Sequence, residues 1–284
     1  MTDESAQKNN NLLKTQLSMF SIIPIESTQE DVEYFCKRFW TVPLSGLVLG
    51  VILGIIFLIS TYLFTLFPAA IITVFMGYIL NRFLHFDGLM DFGDGLVAHG
   101  DQEKKTKALK DTNVGAGGVG VGIMVSFLTV IALESATGFI GYGNHFYWQL
   151  AVFMFPVCME VLAKNSLYVA AAFGEANSNG LGSMFVKSAN RDEMIKSIIL
   201  SAVIVIPLFT VVMFSTPLGL IGAILVSAIM VLISVAVGYL VSSVAMKSFG
   251  YVNGDVLGAA NELGRVGVLL AALMMMRIFS FFWY

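Results

Sequence analysis

The sequence predicts an all-α fold, a polytopic transmembrane helix bundle of about seven spans with its N-terminus in the cytoplasm. Three observations predict it. Of the 284 residues, 57% are hydrophobic and 12% charged, with a mean hydropathy of +0.82, whereas soluble domains are about 45–50% apolar and about 25% charged. Two long stretches carry no charge: 43 residues between Arg38 and Arg82, and 50 between Lys196 and Lys247. The basic residues, finally, gather in alternate connections. A chain this apolar excludes a soluble globular enzyme and a disordered polymer. Two distant cysteines, Cys36 and Cys158, exclude a disulfide scaffold, and a net charge of −3 argues against a nucleic-acid partner.

A bilayer core of roughly 30 Å needs about 20 apolar residues as helix. The first charge-free stretch supplies spans at 42–66 and 69–84, with a turn at 67–68 next to Pro68. The third span is read at 112–133, and the fourth at 146–173, interrupted by Glu160 and Lys164. The second stretch, divided near Pro217, gives spans at 196–214 and 218–244, and the seventh occupies 266–284. If that last segment, which carries Arg277, is interfacial, the count is six. Residues 1–284 form one integral-membrane domain. Its segment 1–41, its connections 85–111, 174–195 and 245–265 and the span ends beside them hold all Lys and Arg but Lys164 and Arg277, whereas connections 67–68, 134–145 and 215–217 hold none. The positive-inside rule makes the basic side cytoplasmic, in a cell membrane. Leu12–Ile25 reads as an amphipathic interfacial helix.

The densest acidic group, His85 to Gly95, follows the second span. On a helix Asp87, Asp91 and Asp94 stand at i, i+4 and i+7, on one stripe. Three carboxylates so placed repel one another unless a cation sits between them. Oxygen ligands without Cys or a second His suit Mg²⁺ or Mn²⁺. Gly88, Gly93 and Gly95 leave room for a bulky substrate near the backbone. Gly115, Gly117 and Gly120 satisfy G-x-G-x-x-G, but no strand precedes them, so a dinucleotide fold is excluded. Two readings stay open: close helix packing, including Gly118-x-x-x-Gly122, or phosphate binding by the N–H groups of the helix start. In the last connection Asp255 and Glu262 share a helical face, with Asn261 beside them. Glu160 and Lys164, at i and i+4, form a candidate intramembrane pair. His99 and His145 have no partner at ligand spacing.

These blocks resemble the cobalamin synthase family, the adenosylcobinamide-GDP ribazoletransferases. The resemblance runs from Leu17-Ser18-Met19-Phe20 and Pro43-Leu44-Ser45-Gly46 through H-x-D-G-L-x-D-x-x-D-G at His85–Gly95. It continues through Asp111-Thr112, Gly115–Gly118 and Gly182-x-x-Phe185-x-Lys187 to Gly254-Asp255-x-Leu257-Gly258-Ala259-Ala260-x-Glu262. It departs at Asn113, where members often carry Arg, and around Glu160, Lys164 and Asn165. The resemblance implies a Mg²⁺-dependent membrane phosphotransferase. Its partners would be the bilayer, adenosylcobinamide-GDP and α-ribazole or its 5′-phosphate, and its products adenosylcobalamin or its 5′-phosphate and GMP. It implies Asp87, Asp91 and Asp94 as metal ligands, and Asp111 as a further ligand or the base for the ribazole hydroxyl. Substrate contacts are expected from His85, Gly88, Gly95, Thr112, Gly115 and Gly118. Others are expected from Asp255, Asn261 and Glu262, and phosphate contacts from Lys187 and Arg191. One alternative is a CDP-alcohol phosphotransferase, whose D-x-x-D-G opening Asp91–Gly95 matches while its later motif is missing. Another is a cation or solute transporter, which would carry acids at mid-membrane depth on several spans.

Overall fold

The computed structural model describes residues 3–140, 145–177, 180–213, 216 and 218–281, and among these every regular element is a helix. Residues 214 and 282–284 of the expected spans, 215 and 217 of the expected connection 215–217, and 141–144 of the expected connection 134–145 lie outside the described residues. The chain opens with α1 (Asp3–Phe20) and α2 (Gln29–Cys36), the latter begun by a capping box in which Thr28 and Asp31 exchange hydrogen bonds. Leu12, Thr15, Gln16, Leu17 and Phe20 of α1 are buried, so the amphipathic segment is packed onto the protein itself.

After a 3₁₀ turn at Phe39–Thr41, Pro43 starts α3 (Pro43–Leu63) at a position where its missing N–H costs nothing. The turn back lies at Phe64 and Thr65 rather than 67–68, and Pro68 stands in the first turn of α4 (Leu66–Leu80). Beyond α4 the expected second span breaks. Arg82 and Phe83 both take left-handed conformations, with φ 53° and 57°, and α5 (Leu84–Val97) leaves at 93° to α4. The acidic connection is therefore mostly helical, continuing in α6 (Gln102–Leu109). Then come α7 (Ala116–Phe139), α8 (His145–Phe173), α9 (Leu181–Ser188), α10 (Arg191–Met213), α11 (Gly219–Phe249) and α12 (Gly254–Phe281).

Six of these segments are long and apolar enough to cross a membrane alone: Phe39–Leu63, Ala116–Phe139, Phe146–Phe173, Arg191–Met213, Gly219–Phe249 and Gly254–Ser280. The pair α4–α5 passes only when taken together. At 15 residues α4 is shorter than a span needs by itself, and α5 packs on α7 and α12. Helix α12 starts at Gly254, so most of the expected connection 245–265 is a helix that carries Asp255, Glu262 and Arg265.

The packing inverts the soluble pattern, as a lipid solvent requires. Ile59, Phe75, Ile123, Phe127, Val203, Ile221 and Leu232 face outward, while Ser201, Ser227, Ser234 and Ser242 are buried. Helix α8 is central and packs on α3, α10, α11 and α12. Small residues decide how closely. A Cβ on Gly46 would stand 2.5 Å from the Glu160 carbonyl oxygen, and one on Gly50 2.7 Å from the Val157 Cα. The stripe Gly46-x-x-x-Gly50-x-x-x-Gly54 thus holds α3 at backbone contact with α8. Further along α8, Asn165 donates to Ser234 Oγ at 2.8 Å and accepts from Ser197 Oγ at 2.9 Å, tying α8 to α11 and α10.

Candidate active site

One end of the bundle gathers the start of α3, the end of α4, all of α5, and the starts of α7, α10 and α12. Helix α5 is pressed onto the first turns of α12. A Cβ on Gly88 would lie 2.8 Å from the Asp255 Cα, and one on Gly258 3.0 Å from the His85 carbonyl oxygen. The space expected for substrate at Gly88, Gly93 and Gly95 is instead filled by Asp255, Val121 and Phe249. Close helix contact brings carboxylates from distant parts of the chain together. Asp91, half-buried on α5, is pushed up to about 7, first by burial and then by the charges of Asp255, Asp87 and Asp94.

Asp94 meets a different fate from its stripe neighbours. Its carboxylate accepts from the Gly115 N–H at 2.6 Å and the Gly118 N–H at 2.8 Å, at the start of α7. A Cβ on Gly118 would stand 2.6 Å from Asp94 Oδ2. The amides read as a possible phosphate cradle are thus occupied by the protein's own anion, which caps α7 across the fold. Gly122 packs on Phe86 and Met90.

Beneath α5 runs a buried charged network. Lys164 Nζ is 2.7 Å from His85 Nε2 and donates to Asn261 Oδ1 at 2.8 Å. Asn261 Nδ2 donates to Glu262, whose two oxygens accept from Arg265 Nη1 at 2.9 Å each. Arg265 Nη2 reaches Glu160 Oε1 at 2.7 Å, off the axis of a hydrogen bond. The expected Glu160–Lys164 pair is therefore not a direct contact: each residue finds its partners on other elements. Two carboxylates balance two cations, as burial of charge in a bundle demands. With Lys164 as an ammonium, Nε2 accepts and the His85 proton sits on Nδ1.

Above His85 opens a cavity of about 640 Å³ between α1, α5, α9 and α12. Ser18, Arg82, His85, Asp87 and Asp255 form its polar side, while Phe20, Leu167, Leu181, Phe185 and Leu257 form its apolar side. Other expected site residues lie elsewhere. Asp111 and Thr112 are exposed beside a separate hollow lined by Lys107 and Lys110. Asp111 accepts from the backbone and side-chain N–H groups of Asn113, both at 3.0 Å, and these hold its carboxyl below the usual range. Lys187 is exposed on α9, and Arg191 stacks over Phe173 at 4.7 Å.

Sequence reasoning passed over Arg82 and Arg265, although the E-x-x-R spacing of Glu262 and Arg265 marks an i, i+3 pair on a helix. Among the described residues no three His, Cys, Asp or Glu side chains converge tightly enough to cage a metal ion. The carboxylates of Asp87 and Asp91 could nonetheless hold Mg²⁺, which is commonly bound by one or two carboxylates and completed by water and substrate phosphates.

Comparison with known proteins matches residues 12–273 to the Cobalamin-5-phosphate synthase family. The chain is 33% identical over 276 residues to the adenosylcobinamide-GDP ribazoletransferase of Methanosarcina mazei, covering 93% of this chain and 92% of that one. It is 34% identical to the protein of the same name from Methanococcoides burtonii, covering 91% and 90%. The enzyme of that name from Thermococcus onnurineus is 29% identical, covering 91% and 95%. No solved structure matches.

Proposed function

Because this chain belongs to the Cobalamin-5-phosphate synthase family, we propose that it joins adenosylcobinamide-GDP to α-ribazole 5′-phosphate, with α-ribazole as a second acceptor. A ribose hydroxyl oxygen forms a bond to the cobinamide-linked phosphorus of the donor. The anhydride bond breaks, GMP leaves with that electron pair, and the hydroxyl proton passes to a carboxylate. The observation that carries the reading is the meeting of Asp87 on α5 and Asp255 on α12 along one cavity, with Asp91 beside them.

Asp87 and Asp91 would hold Mg²⁺, which supplies neutralisation of the phosphoryl oxygens and of the leaving GMP. Asp255 is suited to receive the proton: Asn253 Nδ2 donates to its Oδ2 at 2.7 Å, which leaves Oδ1 to accept it. Asp94 sets the pose of α5 through its grip on α7. Asp111 we assign to the turn before α7 rather than to the proton. The end bearing the site also carries most Lys and Arg, so we place it on the cytoplasmic side of the cell membrane.

The test is GMP release by purified protein in vesicles, with donor, acceptor and Mg²⁺ supplied and the corrinoid product weighed by mass spectrometry. One GMP per corrinoid joined is expected, and folded Asp87→Asn and Asp91→Asn proteins should lose about 10²–10⁴-fold in rate. Solute flux through the vesicles without GMP release would refute the reaction in favour of a transporter.

A further inference from the structure

We propose that the cavity above His85 is the acceptor's subsite and that Arg82 reads the acceptor's 5′-phosphate. The inference rests on the reaction proposed above, in which the acceptor brings a phosphomonoester that does not react. Such a dianion needs a cation that keeps it away from the carboxylates doing the chemistry. Of the charged residues lining the cavity, Arg82 is the cation, and Asp87 and Asp255 are anions. Lys164 stands behind His85, fully buried and committed to His85 and Asn261.

Three observations about Arg82 agree. Its backbone holds φ 53° and is followed by Phe83 at 57°. Non-glycine residues in this region are strained and cluster at ligand clamps. Its guanidinium is anchored by one nitrogen, Nη2 donating to the carbonyls of Ser18 at 3.1 Å and Met19 at 3.4 Å. Among the described residues Nε and Nη1 have no partner and no carboxylate pairs with the side chain. That leaves Nε and Nη1, on different edges of the guanidinium, each able to give a phosphate oxygen a charge-assisted hydrogen bond.

The remaining lining suits the rest of the molecule. Phe20, Leu167, Phe185 and Leu257 offer an apolar wall to an aromatic base, and the two carboxylates face the ribose hydroxyls. A cavity of about 640 Å³ takes a nucleotide-sized ligand.

Arg82→Gly removes the side chain while relieving the left-handed backbone, and Arg82→Lys keeps the charge without the guanidinium's separate donors. Rates are measured with α-ribazole and with α-ribazole 5′-phosphate, in vesicles of phosphatidylcholine alone and with phosphatidylglycerol added. For Arg82→Gly the kcat/KM ratio of phosphorylated to unphosphorylated acceptor should fall about 10- to 100-fold through KM, with Arg82→Lys between it and the parent. An equal loss with both acceptors would make Arg82 a strut for α1 and overturn the proposal. An unchanged ratio would overturn it as well. So would a ratio change seen only with the anionic lipid, which would assign Arg82 to a headgroup. If the glycine variant melts below the parent, Arg82→Gln is read in its place. Absence of GMP release by the unaltered protein with either acceptor would instead sink the reaction itself.

Discussion

Replacing Arg265 with methionine tests the charged network most directly. Arg265 is 1% exposed and stands 11 residues into α12, about 16 Å along its axis. It holds Glu262 through Nη1 to both oxygens at 2.9 Å and Glu160 through Nη2 at 2.7 Å. Methionine fills most of the volume but leaves two buried carboxylates facing the single charge of Lys164. Breaking a buried pair by removing one partner costs about 3–5 kcal/mol, because the remaining charge is uncompensated. Adding Glu160→Gln restores neutrality, with Glu262 and Lys164 left to balance, and should return more than half of that loss. Equilibrium unfolding in mixed micelles, following helix content against denaturant, gives the three free energies. A cost below about 1 kcal/mol for the single variant, or a double variant no more stable than the single, would refute the charge-balance reasoning.

Further outcomes follow from the same geometry. Gly46→Ala should fail to form a stable bundle, since its Cβ would meet the Glu160 carbonyl at 2.5 Å. Gly120→Ala, with nothing within 4 Å of the added Cβ, should be neutral or stabilising by up to about 1 kcal/mol. Size-exclusion profiles and melting curves compare the two. Asp94→Asn keeps one acceptor oxygen for two amides and should cost about 1–2 kcal/mol, read as faster amide exchange at Gly115 and Gly118. Chelation of divalent cations should abolish GMP release, and Mg²⁺ or Mn²⁺ should restore it. Asp87→Asn should shift the Mg²⁺ titration to higher concentration.

Much of the fold can be read from sequence because it follows from local chemistry. An unbroken apolar run has no other stable form in lipid than a helix, so α3, α7, α8, α10 and α11 stand where hydropathy places them, within a few residues at most ends. Helical spacing also puts Asp87, Asp91 and Asp94 on one stripe. Local rules failed where a polar stretch was taken for a connection. Residues 254–265 carry Asp255, Asn261, Glu262 and Arg265, too polar for a span when each side chain is counted alone. They form the first turns of α12, and Arg265 is neutralised there by Glu262 on the same helix and Glu160 on α8.

The sequence alone therefore determined that the chain makes apolar helices, where most of them lie, and which residue types it spends its few charges on. The partners of those charges were settled by tertiary structure. Asp94 caps α7 rather than joining its two neighbours, Lys164 turns to His85 rather than to Glu160, and Asp255 arrives beside Asp87 through the Gly88 contact. The physical reason is range. Hydropathy and helical period act within a few turns of one segment, whereas a buried charge takes the nearest opposite charge or donor in space, and only the packed bundle decides which that is.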